Sequence, residues 1–120
     1  MQASARHILV ADDDPDAAES LAILLELDGY QSSYATDGAT ALQLFEQTHP
    51  DVVLLDIGMP RCSGHDVARR IRALAAEKRV LLIAVTGWAR DSDRARSYAA
   101  GFDHHLSKPV DYDELASLLR

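Results

Sequence analysis

The residues best suited to chemistry are Asp12-Asp13, Asp56, Thr86-Gly87 and Lys108-Pro109, with Met59-Pro60 close behind the second group. Each polar group closes an aliphatic run: His7 to Ala11, Asp51 to Leu55, Val80 to Val85, and the weaker Phe102 to Ser107. A carboxylate can act as a nucleophile toward phosphorus and form an acyl phosphate. Asp56 follows V-V-L-L, where an acid is costly to bury without partners. If Asp12, Asp13, Asp56 and Lys108 gather, three carboxylates face one ammonium, and the negative excess calls for a divalent cation. Mg2+ (or Mn2+) suits a site with a few carboxylates, a carbonyl and several waters. The cation, Lys108 and the Thr86 hydroxyl can then hold the three equatorial oxygens of a transferring phosphoryl group. Gly58 carries no side chain and can bring its carbonyl close to a metal. Taken singly, each residue has a plainer role: Asp14 as a helix cap, Asp12-Asp13 as a solvated turn, Thr86 as a strand-end cap, Lys108 as a surface lysine. Their order and placement bind them into one reading.

That reading requires a scaffold that brings four distant chain segments to one rim. In an open parallel sheet, ligands bind outside the carboxyl ends of the strands. The sequence alternates accordingly. H-I-L-V-A at 7 to 11 is the short apolar run of a strand covered on both faces. Asp14-Pro15 reads as an N-cap followed by proline at the first helical position. Ala17, Leu21, Leu24 and Leu25 form a helical stripe ended by Gly29. Gln31 to Ala35 reads as a weak strand near an edge. A second helix starts at Thr36 or Asp37, turns Ala41, Leu42 and Phe45 inward, and stops before Pro50. After the strand Asp51 to Leu55, a third helix spans about Gly64 to Ala76, using Val67, Ala68, Ile71 and Leu74. Val80 to Val85 is the fourth strand. A helix over Asp91 to Ala100 closes at Gly101, a short fifth strand precedes Lys108, and Leu115, Leu118 and Leu119 mark a final helix. Strand-helix alternation predicts an α/β three-layer sandwich with a parallel sheet and right-handed crossovers. The expected architecture is flavodoxin-like, with strand order 2-1-3-4-5 and its switch point between strands one and three, where Asp12-Asp13 and Asp56 flank the crevice. Lys-Pro restricts the backbone at Lys108 and admits a cis bond, although most such bonds are trans.

Composition narrows the functional classes. A chain of 120 residues fits a single domain, 1–120, with room for a real core. A net charge of -7 argues against direct nucleic-acid binding, which needs clustered Lys and Arg. The single cysteine, Cys62, excludes an internal disulfide and suits a reducing compartment. The sequence contains neither a run of roughly 20 apolar residues nor a signal-peptide core. The expectation is a soluble, cytoplasmic domain without direct membrane contact.

The segments I-L-V-A-D-D-D at 8 to 14, V-V-L-L-D-I-G-M-P at 52 to 60, V-T-G at 85 to 87 and S-K-P at 107 to 109 resemble the receiver domain of two-component response regulators, over essentially the whole chain. The resemblance implies that Asp56 accepts a phosphoryl group from a phosphohistidine on a sensor histidine kinase or histidine phosphotransfer protein. It implies that Asp13, Asp56 and the Gly58 carbonyl bind Mg2+ directly, with Asp12 acting through water. Thr86 and Lys108 would contact the phosphoryl oxygens. The stretch D-R-A-R-S-Y-A-A-G-F-D-H-H-L-S-K-P looks most like receivers of hybrid sensor kinases, and a free-standing receiver or a fragment of a longer chain fits equally. Such a domain is not expected to turn over a separate substrate, although it can lose its own phosphate.

One position departs from the family pattern. Many receivers carry an aromatic residue three positions before the lysine, which moves inward when the threonine swings toward the phosphoryl group. Here that position is His105, a ring that also titrates near neutral pH. The expectation is a modified switch, Thr86 with His105, on the face made by the 91–100 helix, the fifth strand and the final helix. The competing reading is a surface histidine without a signalling role. The same face is a common dimer surface in the family, so a homodimer is an open possibility. Trp88, two residues beyond Thr86, is expected to shield the acyl phosphate modestly from water. Cys62 reads as a bystander. Two rival classes remain. An aspartate-nucleophile phosphatase of the haloacid dehalogenase type would place its nucleophile at Asp12 and leave Asp56 unexplained. A pseudo-receiver would bind proteins without being phosphorylated.

Overall fold

The computed structural model describes residues 6–59, 63–75, 79–87 and 98–119. Five parallel strands form one sheet in the order β2-β1-β3-β4-β5. They are β1 (His7–Ala11), β2 (Gln31–Ala35), β3 (Val52–Asp56), β4 (Leu81–Thr86) and β5 (His104–Ser107). The helices are α1 (Pro15–Leu27), α2 (Gly38–Thr48), α3 (Gly64–Ala75) and, near the end of the chain, α4 (Tyr112–Leu119). Of the helix expected over Asp91 to Ala100, only 98–100 are described, and they are helical. The expected flavodoxin-like sandwich and its strand order are therefore observed.

The starts of the helices follow local chemistry. Asp14 caps α1, its side chain accepting from the backbone N–H of Asp16 and Ala17, with Pro15 in the first turn. Asp37 caps α2 by accepting from Thr40 N–H at 2.7 Å. The chain leaves α1 through Gly29 at φ +98° and leaves the 98–100 turn through Gly101 at φ +110°.

The sheet separates two cores. On one side Leu9, Val53, Leu55 and Leu82 pack with Phe45 of α2 and with Val67, Ala68 and Ile71 of α3. On the other, Ile8, Val10, Leu54, Ile83 and Leu106 pack with Ala18 and Leu25 of α1 and with Leu115 and Leu119 of α4. Alternate residues of each strand thus feed opposite cores, as a doubly covered sheet demands.

The buried rows of two helices differ from the expected stripes. In α1 the buried residues are Ala18, Ala22 and Leu25, whereas Ala17 is exposed, Leu21 is partly buried and Leu24 is about half exposed. The segment L-A-I-L-L-E-L is apolar nearly all round, so its pattern does not select a face. The 17/21/24 row instead borders a groove against Pro109 and Val110. In α3, Val67, Ala68 and Ile71 are buried as expected, but Leu74 is half exposed. Gly64 and His65 join the buried set, and the His65 ring meets Phe102 edge-on at 6.2 Å.

Arg72 binds α3 to the strand ends opposite the acidic rim. Its guanidinium donates to the carbonyls of Gly101 and Val80 and to Asp103, whose carboxylate also accepts from Leu82 N–H. A Cβ at Gly101 would approach Arg72 Cγ to 3.0 Å in a backbone conformation that L side chains rarely adopt. Gly101→Ala is therefore expected to lower unfolding stability by about 1–3 kcal/mol, read as a reduced urea midpoint with an unchanged m-value.

Candidate functional site

Register alone delivers the polar residues to one rim. Ala11 pairs with Leu55, and Asp56 pairs with Val85. Asp12 therefore lies one step beyond the β1 ladder, beside Asp56. Thr86 pairs with Ser107, which places Lys108 one step beyond β5. The Lys108 N–H donates to the Thr86 carbonyl at 2.8 Å and fixes the point where the lysine leaves the sheet. The Lys108–Pro109 peptide bond is cis, the less common form noted above.

Asp56 lies at the centre and is only 5% exposed. Its Oδ1 accepts from Gly58 N–H at 2.9 Å, and its Oδ2 accepts from Lys108 Nζ at 3.0 Å. Lys108 Nζ also reaches Asp12 Oδ2 at 3.3 Å, so one ammonium bridges two carboxylates. Asp12 is buried, and its other oxygen accepts from Asp14 N–H at 3.0 Å. Asp13 is exposed on the open side of the cluster. One carboxylate oxygen from each of Asp12, Asp13 and Asp56 lies within 4.8 Å of the other two. Three hard oxygens converging from two buried and one exposed residue fit a small divalent cation that keeps its waters outward.

The electrostatics of the cluster are balanced. Burial pushes the Asp56 carboxyl upward, but the Lys108 ammonium, the Gly58 N–H and the Asp13 side chain outweigh it and hold Asp56 below its ordinary range. Burial likewise acts to lower Lys108, but the Asp56 and Asp12 carboxylates prevail and raise it. Asp13 is raised, first by its hydrogen bond with Asp56, then by desolvation and by repulsion from Asp56 and Asp12. Within the cluster, protonation is therefore easier at Asp13 than at Asp56.

The structure brings Asp12, Asp13, Asp56, Gly58 and Lys108 together as the sequence reading requires. A Cβ at Gly58 would lie 3.6 Å from Asp56 Oδ1, an ordinary contact, so space alone does not demand glycine there. Thr86 is buried at the end of β4, one residue past the partner of Asp56. His105 sits half-buried on β5 opposite Ala84, two strands away from Asp56. Met59 is buried in the core of the α2–α3 side. Pro60, Cys62 and Trp88 lie outside the described residues. Two features escaped the sequence reading. Lys108 contacts Asp12 as well as Asp56, and Gly64 N–H donates to the Ile57 carbonyl at 3.2 Å behind Asp56. Among the described residues, no helix is long and apolar enough to cross a membrane.

The sign of the Asp13 shift yields a stability prediction. A carboxyl with a raised folded pKa disfavours folding once it ionises, so its cost is present above that pKa and disappears as pH falls through it. In metal-free buffer, Asp13→Asn is expected to raise the melting temperature at pH 7 by about 2–4 °C. The gain should fade as the pH drops through the raised pKa of Asp13 toward 3.8, the ordinary aspartate value. Thermal scans from pH 3 to 8 check this, and a variant that melts below the wild type at neutral pH contradicts it.

Comparison with known proteins agrees with this geometry. A family model described as the response regulator receiver domain matches residues 8–120. The response regulator MprA of Mycobacterium sp. (strain KMS) is 39% identical over 116 residues. The match covers 95% of this chain and 49% of MprA, so this chain spans about half the length of that relative. Among solved structures, a CheY-like receiver domain protein from Methanospirillum hungatei JF-1 superposes with a TM-score of 0.88 at 28% identity, covering 97% of this chain and 91% of that one. The receiver domain of Saccharomyces cerevisiae Ssk1, solved with the histidine phosphotransfer signaling protein Ypd1, gives a TM-score of 0.87 at 19% identity, covering 98% and 88%, and shares the fold alone. With its fold, its strand-end acids and nearly its full length in register with that family, the chain belongs to the response regulator receiver domains.

Proposed function

We propose that Asp56 is the phosphoacceptor of a two-component phosphorelay. The observation that carries this is a nearly buried carboxylate held ionised, with one oxygen on Lys108 and two further carboxylates within 4.8 Å. An Asp56 carboxylate oxygen attacks phosphorus and the bond to the donor imidazole nitrogen breaks with its electron pair staying on that nitrogen; the ring, already carrying a proton on its other nitrogen, leaves as neutral histidine while an acyl phosphate forms on Asp56. The donor class is a phosphohistidine on a sensor histidine kinase or histidine phosphotransfer protein. The pairing of a receiver of this fold with Ypd1 supports that class.

Asp12, Asp13, Asp56 and the Gly58 carbonyl would hold Mg2+ (or Mn2+), which supplies charge neutralisation for the crowded carboxylates and the incoming phosphoryl oxygens. Lys108 is already placed at Asp56 Oδ2 and can shift its hydrogen bond to a phosphoryl oxygen as the charge moves there. Thr86, on the neighbouring strand end, supplies a hydroxyl to another oxygen. His105 lies on β5, three residues before Lys108, and, with Thr86, is the proposed relay to the β5–α4 face, where a partner or a second copy would sense the change. This function involves no turnover of a separate substrate. The hybrid-kinase context and cytoplasmic location belong to the same proposal.

Acetyl phosphate with Mg2+ should add one phosphoryl group by intact mass, and Asp56→Asn should add none. Lack of modification in folded wild type would favour a protein-binding pseudo-receiver. Asp13→Asn should weaken Mg2+ affinity at least about tenfold, a loss no smaller than outer-shell changes cause, as measured by calorimetric titration. If His105 relays the signal, His105→Ala should be phosphorylated normally yet lose most of the phosphorylation-dependent change in partner affinity. A full response in that variant removes His105 from the switch.

A further inference from the structure

Behind the nucleophile, the first residue of α3 touches the backbone of β3 as only a glycine can. A Cβ built on Gly64 would sit 2.8 Å from the Asp56 carbonyl oxygen, 2.8 Å from Ile57 Cα and 3.2 Å from the Asp56 carbonyl carbon. All three are main-chain atoms, so no side chain can rotate away to make room. Separations under 3.0 Å force something to shift. Backbone hydrogen bonds show what would have to move. Ile57 N–H donates to the Val85 carbonyl at 3.0 Å, and Gly64 N–H donates to the Ile57 carbonyl at 3.2 Å. Ile57 is therefore clamped between β4, through its N–H, and the start of α3, through its carbonyl. The next residue, Gly58, gives its N–H to Asp56 Oδ1.

We infer that Gly64 is a positioning residue for the cation site. By letting α3 rest directly on the Asp56–Ile57 main chain, it sets the turn that aims Gly58 N–H at Asp56 Oδ1 and presents the Gly58 carbonyl to the metal. Its effect is transmitted through Asp56 and Gly58, and it touches neither metal nor phosphate. The inference rests on the proposed role of Asp56 and adds to it a requirement at a site outside the polar cluster. A residue that served only to begin a helix would tolerate alanine, because helix propensity favours alanine over glycine.

The test compares Gly64→Ala, Gly101→Ala and wild type. Gly101→Ala serves as a stability control, because its Cβ crowds Arg72 at the far end of the fold. Mg2+ affinity is measured by calorimetry, and acetyl phosphate modification is followed by intact mass across a Mg2+ series. Gly64→Ala should bind Mg2+ at least tenfold more weakly and need correspondingly more Mg2+ for half-maximal phosphorylation. Gly101→Ala should lose stability but keep wild-type Mg2+ affinity. If Gly64→Ala is unfolded in plain buffer, all three proteins are compared in trimethylamine N-oxide, which favours the compact state. A folded Gly64→Ala with wild-type Mg2+ affinity overturns the inference, as does an equal loss in Gly101→Ala. Failure of wild type itself to bind Mg2+ or take up phosphate would indict the underlying assignment of Asp56 instead.

Discussion

A carboxylate at 5% exposure has lost most of its water, and it stays charged only if fixed partners replace that water. At Asp56 they do so asymmetrically. One oxygen takes a backbone N–H two residues ahead, and the other takes an ammonium from 52 residues away. The local partner comes free with the turn after β3. The distant one requires β4 and β5 to be stacked in order and in register before Lys108 can arrive. The ionised state of Asp56 is thus a property of the assembled sheet, and it ties the chemistry of the rim to the cooperativity of the whole fold. Removing only one partner would leave a buried charge under-compensated, which is costlier than never having paired it.

The same cluster is under-neutralised by design of its residues. Lys108 serves both Asp12 and Asp56, while Asp13 lies against both carboxylates, whose proximity raises its own carboxyl. An arrangement optimised for the metal-free fold would carry fewer acids here. The excess makes sense if a cation is the missing partner, since mutual repulsion in its absence becomes attraction in its presence. Stability and binding therefore pull in opposite directions at Asp13, a common condition of functional sites.

Much of this was legible in the sequence because the governing signals are local. The runs H-I-L-V-A and Q-S-S-Y-A mark β1 and β2 with the bounds observed, and Asp14-Pro15 marks a helix start through capping chemistry, while of the two starts open for α2, Thr36 or Asp37, it is Asp37 that caps. For β3 and β4 the expected spans, Asp51 to Leu55 and Val80 to Val85, ran one residue early at both ends. β3 runs through Asp56 and β4 through Thr86, because the ladder is made by main-chain groups that are indifferent to side-chain polarity. That single residue matters, for it places Asp56 and the Thr86 hydroxyl inside the hydrogen-bonded sheet and not on loops beyond it. Other features were illegible for a different reason. The buried row of α1 is chosen by how the helix lies on Ile8 and Val10, and its sequence is apolar in too many directions to say which row that is. The contact of Gly64 with Asp56 joins residues only eight apart, yet it depends on the angle at which α3 meets β3, which no pattern of residue types encodes.

The rim divides into two halves with different supports. Asp56 ends β3, and Asp12, Asp13 and Gly58 lie just past the ends of β1 and β3, interior strands packed on both faces. Thr86 and His105 belong to β4 and β5, Lys108 follows directly after β5, and β5 is the short edge strand of the sheet. Lys108 crosses between the halves, attached to the edge by its backbone and to the centre by its ammonium. A charge change at Asp56 therefore acts on the edge through one side chain whose root is bonded to Thr86. The central strands have tight cores above and below and little room to respond. The edge strand pairs on one side only, so on the proposed reading a displacement demanded by a phosphoryl group would fall first on β5 and the helix that follows it. On the proposed reading, binding is assigned to the rigid half and response to the compliant one, and the lysine makes them a single device.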